Sequence, residues 1–68
     1  MTIAKQILNL LGAPFQTPLQ QTDIAYRLGA NAPTVRRTVQ ELRRLNQVHN
    51  ADYAGVYGFP RLKIGPRP

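Results

Sequence analysis

Ile3, Ile7, Leu8 and Leu11 recur at helical spacing, with Lys5, Gln6 and Asn9 between them. That period predicts a first amphipathic helix over 2–11, capped by Thr2 and stopped by Gly12. Pro14 and Pro18 exclude a helix interior over 12–18, because proline lacks the N–H a helix needs. The segment therefore reads as a loop from which Phe15 and Leu19 fold back onto a core, and 19–21 as briefly extended. Thr22 then offers a capping hydroxyl and Asp23 a carboxylate for the positive end of a second helix. Ile24, Ala25 and Leu28 form its apolar face, and Gly29 ends it. Past a turn at Ala30, Asn31 caps a third helix that tolerates Pro33 in its first turn. Val35, Val39, Leu42 and Leu45 follow at steps of four and three, which marks a buried stripe. Asn46 suits the left-handed conformation that closes a helix.

Beyond Val48 the pattern changes. Val48, Tyr53, Val56, Tyr57, Phe59, Leu62 and Ile64 are β-branched, aromatic or aliphatic, and Gly55 and Gly58 interrupt them. This predicts strands over 48–53 and 59–64 joined by a glycine-bearing tip, with Pro60 marking an edge or a bulge. The expected fold class is mainly α with a small β-hairpin (α+β): a three-helix winged helix-turn-helix. Residues 1–64 form the one expected domain, and 65–68 a loose tail.

The chain has 68 residues and no cysteine, so neither disulfides nor thiolate metal sites supplement its small core. That composition fits a reducing cytoplasm, with the nucleoid as the expected location. Nine Lys and Arg, seven of them Arg, oppose three acids for a formal net charge of +6. Such an excess points to nucleic acid before anionic membrane. No apolar run approaches the ~18 residues of a spanning helix, so no membrane partner is expected.

The arginines fall where they matter. At about 100° per residue, Val35, Val39 and Leu42 cluster on one side of the third helix. Pro33, Arg37, Gln40 and Arg44 point the other way, with Arg36 and Arg43 on a shared flank. The outer face thus carries four arginines against Glu41 alone. Solubility is served better by mixed charge. Arginine and glutamine are also the side chains that read guanine and adenine edges.

Residues 22–48 resemble the helix-turn-helix of GntR-type and IclR-type bacterial regulators. The resemblance lies in Ile24-Ala25, Leu28-Gly29, a short turn, Thr34-Val35-Arg36 opening the recognition helix, then Leu42, Leu45 and Val48. It implies double-stranded DNA as the partner, with helix 32–45 in the major groove. By position it places Thr34 and Arg36 near phosphates and bases, and Thr22 and Asn31 near the backbone at helix N-termini. Asn46 stands where those families usually have glycine. No effector domain follows, so neither a small-molecule effector nor a cofactor is expected. The small size fits a phage, virus or plasmid setting. One module covers only a half-site, so a homodimer or several copies on DNA are expected.

The wing, 49–63, has two readings. Tyr57, Arg61 and Lys63 run along the backbone or the minor groove, or the hairpin is a flap that covers the core. Tyr53, Tyr57 and Phe59 also suit hairpin packing. The expected DNA-binding set is therefore Thr22, Asn31, Thr34, Arg36, Arg37, Gln40, Arg43, Arg44, Tyr57, Arg61 and Lys63. His49 has no second ligand at metal-binding spacing. Asp23, Glu41 and Asp52 are too scattered for acid–base chemistry, with Glu41 better explained by pairing with an arginine. An enzyme is not expected. The alternatives are a protein-interaction module within a nucleoprotein assembly and, with few aromatics for stacking, an RNA or single-strand binder.

Overall fold

A computed structural model describes residues 2–52 and 60–66, and all structural statements below concern these. The first helix, α1 (Ile3–Leu11), begins where the extended Thr2 accepts a hydrogen bond from the Lys5 N–H at 3.2 Å. It buries Ile7 and Leu11 and ends at Gly12. A side chain there would require the exposed end of Ile64 to shift. The glycine φ is an ordinary −88°, but a Cβ would sit 2.9 Å from the Ile64 Cδ1.

The next helix, α2 (Gln21–Leu28), starts earlier than the sequence suggests. Gln20, not Thr22, occupies the cap position and makes no side-chain cap bond; Thr22 lies exposed in the first turn. The cause is tertiary. Leu19 exchanges two backbone hydrogen bonds with Leu62, at 3.2 and 2.6 Å, which fixes the chain's entry one residue ahead of the helix. Leu19 is extended as expected, whereas Gln21 is already helical.

At the far end Gly29 is left-handed (φ +62°). The Ala30 and Gly29 N–H groups return to the Ala25 and Tyr26 carbonyls, closing the helix. A Cβ at Gly29 meets nothing within 4 Å, so only the backbone opposes a side chain there. Gly29→Ala is expected to cost about 1–2 kcal/mol, and Gly29→Asn less, read as urea unfolding midpoints.

The third helix, α3 (Ala32–Arg44), has Asn31 at its cap position without a side-chain cap bond, and Pro33 in its first turn. Val35, Val39 and Leu42 are buried as the stripe requires. Leu45 is not; it is half exposed, because the helix has already ended beneath it. Asn46 turns left-handed (φ +60°), and the Asn46 and Gln47 N–H groups donate to the Arg43 and Leu42 carbonyls.

Strands β1 (Val48–Asp52) and β2 (Arg61–Ile64) pair antiparallel, with Val48 opposite Ile64, His49 opposite Lys63 and Asn50 opposite Leu62. A bulge between Asn50 and Asp52 shifts the register, so the irregularity falls across the ladder from the side where Pro60 predicts it. Tyr53, Val56, Tyr57 and Phe59, with the hairpin tip, lie outside the described residues. Gly65 is no loose tail: its N–H donates to the Gln47 carbonyl at 2.8 Å and extends the ladder.

Leu62, fully buried, sits between Asn50 of β1 and the isolated bridge to Leu19, so both sides of β2 are engaged at that point. The core joins α1, α2 and α3 to this sheet through Ile7, Leu11, Leu19, Ile24, Ala25, Val35, Val39, Leu42, Val48 and Leu62. Phe15 takes no part in it. Pro14 and Phe15 occupy the middle of a turn closed by the Gln16 N–H on the Ala13 carbonyl. Phe15 is the left-handed residue of that turn (φ +63°) and stands fully exposed. Three helices with a two-stranded antiparallel sheet make a small α+β fold with the arrangement of a winged helix.

Candidate nucleic-acid interface

Burying Val35, Val39 and Leu42 against α1 and α2 determines what the other side of α3 displays. Pro33, Arg36, Arg37 and Gln40 are exposed along that side. Among the described residues the Arg36, Arg37 and Gln40 side chains make no hydrogen bond or ion pair. Two cationic forks and an amide are therefore left with their donors in solvent.

The remaining two arginines of the helix differ. Arg44 forms a forked pair with Glu41, Nε donating to Oε2 at 3.1 Å and Nη2 to Oε1. The hydrogen bond from Arg44 holds the Glu41 carboxyl below its usual range, and the same bond holds the Arg44 guanidinium above its own. Both groups are well exposed, so the pair adds little to stability. Its effect is on charge: Arg44 is the arginine that the sequence expects Glu41 to pair with, and the pair offsets one cation. A lowered carboxyl favours the paired state at neutral pH, and that state is lost as pH falls through the lowered value. Glu41→Gln is expected to leave the unfolding midpoint nearly unchanged. It should also steepen the salt dependence of duplex binding by about 0.9 in log–log slope, as one more cation becomes available.

Arg43 turns away from the outer face. Its Nη1 donates to the Asn50 Oδ1 at 3.0 Å, tying α3 to β1. The Arg43 side chain is half-buried, with one guanidinium nitrogen committed to the sheet. Thr34 is also half-buried, and its carbonyl accepts the Thr38 hydroxyl at 2.8 Å. Asn31 is exposed at the start of α3. On the wing strand Lys63 is exposed and Arg61 half-buried; Tyr57 lies outside the described residues.

Thr22 and Arg36, far apart in sequence, meet across a cleft of about 250 Å³ between the first turns of α2 and α3. Gln20, Gln21, Ala32 and Pro33 complete its lining. Sequence reasoning did not find these four, since a helix packing angle is needed to bring two first turns together. Both helices open here without a side-chain cap bond, so their first N–H groups keep their donors for another acceptor.

Among the described residues no three His, Asp or Glu side chains gather as a metal site. Likewise none of their helices is long and apolar enough to cross a membrane. Fold and surface together define a small three-helix α+β domain, compatible with a winged helix, with a cationic outer helix. No protein-family model matches the chain, and no curated protein or solved structure is significantly similar to it.

Proposed function

We propose that this protein is a sequence-specific double-stranded DNA-binding protein, a small transcriptional regulator or architectural factor that lays α3 in the major groove. The observation that carries this reading is the exposed, unneutralised set Arg36, Arg37 and Gln40 opposite the buried stripe. Arginine reads the O6 and N7 of guanine as a fork, and glutamine reads N6 and N7 of adenine. The resemblance of residues 22–48 to GntR-type and IclR-type helix-turn-helix segments supports the same docking. In it the first turn of α2, with Thr22, approaches a phosphate. Lys63 then lies along the flanking backbone, and two copies occupy adjacent half-sites.

A second reading, an interaction module within a nucleoprotein assembly, is favoured by Phe15 and Tyr26, both strongly exposed. Titration of duplex DNA at two salt concentrations separates the two. The DNA reading predicts affinity that falls steeply with salt and improves on a selected sequence. Affinity insensitive to both would assign the basic face to a protein partner.

A further inference from the structure

A second cleft, about 270 Å³, opens where the C-terminal end of α3 meets β1, lined by Arg43, Asn46, Val48, His49 and Asn50. Four of these five carry N–H donors, and no carboxylate is among them. Two of the donors are held in place. Arg43 is fixed by its bond to the Asn50 Oδ1. The His49 ring is fixed by donation from Nδ1 to the Gly65 carbonyl at 2.9 Å. The helix end would ordinarily repel an anion through its free carbonyls. Here the Leu42 and Arg43 oxygens are already taken by the Gln47 and Asn46 N–H groups.

We propose that this cleft binds a phosphate-class anion, with Arg43 as the fixed charge, Asn46 as a neutral donor and His49 as a proton-dependent donor. Asn50 acts through Arg43 by aiming its guanidinium. The Nδ1–H committed to Gly65 leaves Nε2 as the ring atom able to meet a ligand. It donates only when the imidazole is charged, a change that imidazoles undergo between about pH 5 and 8. Two cations flank the ring: Arg43 of α3 lines the same cleft, and Lys63 of β2 stands opposite in register. A seated anion reverses the sign of that local field. Anion binding and protonation of His49 therefore go together, and affinity rises as pH falls. One linked proton sets a limit of about tenfold per pH unit. Free phosphate and the phosphodiester of a nucleic acid share this chemistry; only the second source rests on the function proposed above.

The chain has one histidine, so its ring resonances report the cleft without ambiguity. The experiment follows them by NMR in labelled protein, titrated with inorganic phosphate and separately with random-sequence duplex in dilute salt, at about pH 6 and about pH 8. The expected result is a saturable phosphate response that is about 3- to 10-fold tighter at the lower pH, once the ligand's own second ionisation is removed by a parallel titration with sulfate. The response should be lost in Arg43→Gln and partly restored in Arg43→Lys; in His49→Gln, followed at the Asn46 side-chain amide instead, the gain in affinity at the lower pH should be absent. A duplex producing the same response identifies the nucleic-acid backbone as the source. A duplex that binds without moving His49, while phosphate moves it, identifies free phosphate. If duplex fails to bind but phosphate titrates His49, the anion site stands and the DNA reading falls. If neither probe moves His49, or the response is equal in Arg43→Gln, the proposal is overturned.

Discussion

Replacing Arg36 and Arg37 together by alanine is expected to remove most specific duplex affinity while leaving the fold intact. Each fork that reads a guanine edge contributes about 1–3 kcal/mol, and losing two leaves mainly the contacts that any basic surface makes with phosphate. The fold should not notice. Both side chains are exposed, neither has a partner among the described residues, and the stripe that secures α3 lies on the opposite side. The comparison is a pair of titrations, on a selected duplex and on a scrambled one, beside the unfolding midpoints. Wild type should discriminate between the duplexes and the double variant should not. Equal discrimination by both proteins would remove α3 from the interface.

Leu62→Ala is expected to have the largest effect on stability. A buried Leu cut to Ala costs about 2–5 kcal/mol, and more of that range applies where the surroundings cannot collapse into the space. Leu62 is fully buried on β2, with Asn50 on one side and the bridge to Leu19 on the other. A chain of this length holds roughly 3–10 kcal/mol in total. The substitution should therefore leave a large unfolded fraction at room temperature, visible in far-ultraviolet circular dichroism and urea titration. A midpoint shifted no further than that of Gly29→Ala would mean that the sheet is not joined to the helical core as described.

What was legible in advance followed local rules. The stripe Val35, Val39 and Leu42, the glycine stop at Gly29 and the left-handed Asn46 each depend on neighbours within one or two turns. One misreading involves a partner distant in sequence, and two involve where the chain turns locally. Thr22 has the better capping chemistry, yet Gln20 holds the position because Leu19 is pinned to Leu62. Phe15 is apolar enough for a core, but a turn with Pro14 before it sends the ring outward. Leu45 continues the stripe on paper, whereas the helix closes one residue before it.

The candidate site divides in the same way. Periodicity alone puts Arg37 and Gln40 on the outside and Arg36 on the flank, and all three are exposed. It cannot know that Arg43 will find Asn50, since that depends on the register of β1 beside α3. Nor does it show the cleft shared by Thr22 and Arg36, which exists only once two helices cross. The pairing of Glu41 with Arg44 was foreseeable from their spacing along one helix, and its consequence is to subtract a cation from the count.

The sharpest trial of the central claim, that the arginine-bearing side of α3 is where this protein meets a duplex, is an NMR titration of labelled protein with its selected DNA. The largest changes are expected at the Arg36 and Arg37 guanidinium groups and the Gln40 amide. Saturable DNA binding that leaves those three side chains unmoved, or no association even in dilute buffer, would contradict it.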